Sequence, residues 1–190
     1  MKKIFNISRT IIGTGLLLLA MNSCKNEPKH GDSKEVAENS NGKENDKDAN
    51  FIDDAASIHL SEMEIGKLEL MNGSNEDVKK FAETLLADHK KSLNELKMLA
   101  DENTTAIPTK PKAEELKEYD SLNKVTGADF DKKFIEMMTE GQDKAIDKMT
   151  EISKNATDDD IKDWASDQIA TLTSHYKEAK KLQEKMDSNS

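Results

Sequence analysis

Arginine is nearly missing from this chain: the 28 basic residues include a single one, Arg9. Bidentate recognition of phosphate and guanine favours arginine, and a duplex needs a positive surface, whereas this chain carries a formal charge of −10. With one tryptophan and two tyrosines there are few platforms on which single strands could stack. Nucleic acid is therefore excluded as a partner class. One cysteine cannot build a disulfide framework. The longest apolar run, Ile11 to Met21, falls short of the roughly 20 residues a spanning helix needs. No sustained apolar–polar alternation marks a strand. Phosphate-cradling glycine loops, nucleophile elbows and zincin helices are all missing, which argues against an enzyme of those classes.

What is present begins with a leader. Lys2, Lys3 and Arg9 precede the short apolar run, and the chain's one cysteine follows it in AMNSC. A basic start and a short apolar core read as a secretory signal. The segment resembles a bacterial lipoprotein signal, which predicts cleavage after residue 23 and lipidation of Cys24; acyl chains would then hold the protein on a membrane with no spanning segment. Residues 24–49 are charged and rich in Asn and Gly, with little to bury, and are expected to form a disordered tether. Without the leader, 25 lysines face 38 acids. Lys25 after the cysteine, where some inner-membrane lipoproteins carry aspartate, favours the outer membrane.

Residues 50–190 suit one domain, and their pattern is helical. A first helix is expected from Asn50 to the Asn72-Gly73 pair, and a second from a Ser74 cap to about Glu102. A third is expected from about Ala128 to Asn155, and a last one from a Thr157 cap through Asp158, Asp159 and Asp160. Both pairs are hairpins with tight turns. The connection over 103–127 contains IPTKPK, whose prolines bar a continuous helix, and then a short amphipathic stretch from about Ala113 to Val125 closed by Gly127. The expected architecture is an all-α four-helix bundle, ferritin-like, with two hairpins joined by a long crossover that carries a short extra helix. An up-down bundle with a small capping helix is the alternative.

Each helix carries a polar residue on its inner face near mid-length: Glu62, His89, Gln142 and His175, with His59 one edge over from Glu62. Four at similar depth form a polar core layer. Carboxylate, carboxamide and imidazole have complementary donors and acceptors, so a satisfied hydrogen-bond network is the first reading. The second is a site for one divalent transition-metal ion held by Glu62, His89 and His175. The Glu-x-x-His motif of di-iron bundles is missing, since Leu86 and Leu172 stand three residues before the two histidines. Met63, Met98, Met137, Met138 and Met149 scatter along the core stripes as flexible filling.

The stretches SEMEIGKLEL, VKKFAETLLADHKKSLNEL and GADFDKKFIEMM, with the late helix carrying His175, resemble an uncharacterised ferritin-like family of bacterial outer-membrane or exported proteins defined by a domain of unknown function. The likeness spans about residues 51–185. It implies the bundle fold and an exported location, and no activity. Family members are expected to carry histidine where this chain has Gln142, and a carboxamide is a poor metal ligand. The resulting expectation is a non-catalytic cell-envelope lipoprotein without a cofactor, tethered to the membrane by its lipid anchor and meeting an envelope protein partner. The alternative is a metal-binding or redox protein built on the Glu/His layer.

Overall fold

A computed structural model describes residues 40–188, and the predicted leader, Cys24 and the first part of the predicted tether lie outside them. Five helices follow in order: α1 (Ser40–Asn72), α2 (Glu76–Glu102), α3 (Leu116–Leu122), α4 (Ala128–Asn155) and α5 (Asp159–Ser188). Strands are absent among the described residues. α1 packs on α2 and α4 on α5, while α1 also meets α4 and α2 meets α5, so the four long helices enclose one core.

Three contacts fix the connectivity. The Gly127 N–H donates to the Asn72 carbonyl at 2.8 Å, which sets the start of α4 beside the end of α1. Lys185 near the end of α5 reaches Asp77 in the first turn of α2 at 2.5 Å. Asp48 in α1 binds the α4–α5 turn at Thr157. Hence α1 and α5 run one way, α2 and α4 the other, and residues 103–127 travel the length of the bundle. That path is the long crossover; an up-down bundle would have placed the start of α4 at the opposite end. The crossover is pinned along its way. Lys112 pairs with Asp53 at 2.9 Å and with Asp54, and its N–H donates to Ser57 Oγ at 2.8 Å. Farther on, α3 buries Leu122 in the core. This helix is shorter than the expected Ala113–Val125: residues before it form turns, with Leu116 N–H donating to the Lys112 carbonyl at 3.3 Å, while Glu115 accepts from Ser57 of α1.

Two differences from the sequence expectation share one cause. α1 starts at Ser40 and not near Asn50, so residues 40–49 are helix where a tether was expected. The caps are Asn75 and Asp158, not Ser74 and Thr157: Asn75 Oδ1 accepts from the N–H of Asp77 (2.9 Å) and Val78, and Asp158 Oδ1 from those of Asp160 (2.8 Å) and Ile161. Ser74 and Thr157 are already engaged by buried carboxylates. Asp131 accepts from Ser74 N (2.8 Å), Ser74 Oγ (2.6 Å) and Asn75 N (3.2 Å). Asp48 accepts from Thr157 N (2.8 Å), Thr157 Oγ1 and Asp158 N (2.9 Å). A charged acceptor holds these donors more strongly than a neutral one. A carboxylate on the leading helix of each hairpin, Asp48 on α1 and Asp131 on α4, thus clasps the tight turn of the other.

The clasps reveal an internal repeat. Asp48 and Asp131, Phe51 and Phe134, Ile52 and Ile135, Ser74 and Thr157, Phe81 and Trp164 are pairs with one spacing, 83 positions (48 to 131, 74 to 157). The two hairpins are thus related by approximate two-fold symmetry. Because Asp48 ties the α4–α5 turn, a chain beginning at Asn50 should melt well below one beginning at Ser40. Asp48→Ala alone should cost about 2–3 kcal/mol, measured by denaturant unfolding, since it strands donors that a carboxylate had satisfied.

Candidate functional site

The core is not continuous. One apolar cluster holds Phe51, Leu96, Met149, Ile152 and Trp164, and a second holds Leu85, Phe130, Phe134, Met138 and Leu182. Between them, at mid-length of each long helix, lie the buried polar residues His59, Glu62, His89, Gln142 and His175. The 3.6-residue period that buries the apolar neighbours carries these side chains inward too.

Glu62 is the hub on one side. Its Oε2 lies 2.6 Å from His89 Nε2 and accepts from Gln142 Nε2. The His89 contact is close but not directed along the ring N–H, so it is electrostatic in character. His59 Nδ1 sits 2.8 Å from His89 Nδ1, so one of these two nitrogens donates and the other accepts. His59, read from sequence as an edge position, is therefore a full member of the network. Its spacing of three before Glu62 was the available signal, because i and i+3 share a helix face. Burial, helped by the neighbouring His89 and His175, holds the His59 pKa well below that of a free imidazole. Trp164 stands edge-on to the His59 ring at 5.8 Å.

His175 does not join this hub. Its Nε2 bonds Asp88 Oδ2 at 2.9 Å, on the α2–α5 side where Asp88 is 41% exposed. His89 and His175 are therefore not hydrogen-bonded to each other: the rings approach at 5.3 Å between centroids, but each imidazole lies against its own carboxylate. The reason is rotational. Asp88, one residue before His89, projects about a quarter-turn round α2 toward α5 and captures His175 first. Burial lowers the His175 pKa, with the Asp88 hydrogen bond acting against it. Ser92 donates to Gln168 at 2.5 Å one turn away.

Of the proposed metal ligands, Glu62 and His89 touch and His175 is turned to Asp88. No group of three His, Cys, Asp or Glu side chains among the described residues converges to hold an ion. Both ring nitrogens of His89 already face partners.

The repeat sharpens the description. His59 corresponds to Gln142, Glu62 to Ala145, His89 to Leu172 and Ser92 to His175 at the same spacing. The halves agree at the clasps and diverge at the layer, so the layer is an asymmetric feature set into a symmetric frame. A second divergence lies beside the α1–α2 turn. Glu69, fully buried, corresponds to Ile152, and Gly73 to Ala156. A side chain at Gly73 would collide with Glu69 and come within 2.7 Å of Asp131, so glycine makes room for two adjoining carboxyl groups. Sequence reading missed Glu69, Asp48, Asp131 and Asp88.

Known proteins match this fold more clearly than they match this site. A crystal structure of a DUF305 fragment from Deinococcus radiodurans superposes with a TM-score of 0.66, 9% identity, over 73% of this chain and 96% of the other. A DUF305 protein from Streptomyces coelicolor, described as a candidate secreted protein, gives 0.65 and 15% over 74% and 92%. At such identities the likeness is one of fold. No protein of curated function matches. The sequence profile of a domain of unknown function, DUF4142, matches residues 33–182, and the chain belongs to that family.

Proposed function

We propose that this protein is a non-catalytic lipoprotein of the cell envelope, anchored through Cys24 and most simply placed in the outer membrane, whose acidic helical domain acts by structure or by binding another envelope protein. The observation that carries the non-catalytic reading is that the layer's side chains are turned on one another: His89 lies between His59 and Glu62, Gln142 donates to Glu62, and His175 bonds Asp88, while His59 Nε2, His89 Nε2, Gln142 Oε1 and His175 Nδ1 have no hydrogen-bond partner among the described residues. A histidine set between a carboxylate and a second imidazole is poorly placed as a general base or a ligand. The leader ending in the chain's one cysteine supports the anchor, and no helix among the described residues is long and apolar enough to cross a membrane. Cys24→Ser should give a precursor that takes up no fatty acid and leaves the envelope fraction. Palmitate incorporation by that variant would refute the anchor.

One observation favours the second reading, a metal-binding protein. His175 Nε2 on Asp88 is the carboxylate–imidazole pairing that orients metal-bound histidines, and His175 Nδ1 is buried without a hydrogen-bond partner among the described residues. The single crossover is also the connectivity of ferritin-like metal bundles. Occupation would require Glu62 or His89 to leave its present partner.

A further inference from the structure

Helix-interior glycine costs about 1 kcal/mol relative to alanine, so each one invites a reason. Gly66 has one: a Cβ there would press to 3.3 Å from Leu86, so the glycine lets α1 lie close on α2. Gly141, in the middle of α4, has none of that kind. A Cβ at 141 would meet a single atom within 4 Å, Glu62 Oε1 at 3.8 Å. The missing side chain relieves no crowding between helices; it uncovers one oxygen of a buried carboxylate.

That oxygen opens on a groove of about 390 Å³ between α1 and α4. Its floor is Glu62, which is 5% exposed and uses Oε2 for both His89 and Gln142, so Oε1 is the atom turned to Gly141. The walls are mostly apolar, Ile58, Ile65, Met137, Met138 and Ala145, with the Ser61 hydroxyl beside them. Methionine walls adapt to ligand shape. The crossover supplies Glu114 and Glu115 to the rim, facing Lys144 and Lys148 on α4. Lys148 is held by Asp54 at 3.2 Å and Glu151 at 2.9 Å, so its charge is largely answered, and the balance at the groove is negative. The repeat makes the same point. The counterpart of Gly141 is Ile58 and that of Ala145 is Glu62, so both changes that open the groove onto a carboxylate depart from the symmetric pattern at the same place.

We propose that this groove binds a small amphipathic amine, its ammonium head donating to Glu62 Oε1 through the gap at Gly141 and its apolar tail lying along Met137, Met138 and Ile65. A pocket with apolar walls and one buried charge selects by that charge, because a ligand lacking the complementary group leaves it unpaired. An anion is repelled by the same three carboxylates. The ligand changes no residue of the internal network, since Oε2 keeps its partners.

Hexylamine is the probe, with hexanol and hexanoate as its uncharged and anionic counterparts, titrated calorimetrically into the protein from Lys25 onward. Hexylamine should bind once per chain at a dissociation constant of about 1 mM or tighter, and hexanol about tenfold more weakly or worse. Gly141→Leu fills the gap with a better helix former, so it should melt no lower than the parent while losing hexylamine by about tenfold or more. Glu62→Gln, if it folds, should erase the preference for amine over alcohol. Hexylamine giving no saturable heat, hexanoate or hexanol binding as tightly as hexylamine, or Gly141→Leu binding like the parent would each overturn the proposal.

Discussion

Glu69→Gln is expected to raise the stability of this protein at pH 8 and to flatten its dependence on pH. Burial pushes the Glu69 carboxyl up to about 9, with the adjoining Asp131 adding to the shift and Lys79 opposing it only in part. Asp131 is itself costly to bury, but hydrogen bonds from Ser74, Glu69 and Asn75 outweigh this and hold its pKa low. Between these neighbours Glu69 keeps the proton and Asp131 keeps the charge. The sign follows. An unfolded glutamate releases its proton near 4.5, so between 4.5 and about 9 the folded chain holds a proton that the unfolded one has lost. Stability therefore falls as pH rises through that window, by about 1.4 kcal/mol per unit for one such group. His59 and His175 act in the opposite direction and elsewhere on the scale. Both are held below 6.5, so the unfolded chain binds protons that the folded chain refuses, and their contribution is lost as pH drops under 6.5. From pH 7 to 9 the histidines are silent and Glu69 dominates. Urea unfolding over that range should slope downward in the parent and lie nearly flat in Glu69→Gln. A parallel slope in the variant would show that Glu69 is already ionised in the folded state.

His89→Leu is expected to be among the most damaging single changes in the core. Removing the imidazole leaves the Glu62 carboxylate with Gln142 as its one remaining partner in the hub, and strands His59 Nδ1 at a site without solvent. Stranding buried polar groups costs about 1–3 kcal/mol each, more when the group is charged, a large fraction of a small domain's stability. The remedy distinguishes a network from mere packing. Replacing His59, Glu62, His89 and Gln142 together with apolar residues of similar volume should recover much of the loss, because an apolar layer between the two clusters has no desolvation to offset. His175 can stay, since its carboxylate is Asp88. If the fourfold variant is no more stable than His89→Leu, the network account of the layer fails.

The parts legible in sequence were those written in helical period. The buried faces of α2, α4 and α5 follow Val78 to Leu96, Ile135 to Ile152 and Ile161 to Leu182 as the spacing predicts. Glu62, His89, Gln142 and His175 are all buried with them. Periodicity assigns a face and a depth, however, not a partner. It could not show that Asp88, a mostly outward residue, would take His175 from His89. Nor could it place the start of α1, because residues 40–49 have almost no apolar face, and the contact that ties this stretch among the described residues is a distant one, Asp48 with the α4–α5 turn. That contact had a trace in the chain: D-x-x-F-I occurs at 48–52 and again at 131–135, each 26 positions before a hydroxyl residue, Ser74 or Thr157. Glu69 has no such trace, since its burial depends on the space left by Gly73.

The central claim is that the layer's side chains partner one another and not a metal ion. Its most direct test is the metal content and melting temperature of the protein from Lys25 onward, purified without chelator and then titrated with Zn²⁺, Cu²⁺ and Fe²⁺ in turn. A network of side chains alone predicts far less than one ion per chain and a melting temperature that none of the three raises. A preparation carrying close to one ion per chain, stabilised by that ion and losing both properties in His89→Leu, would contradict it.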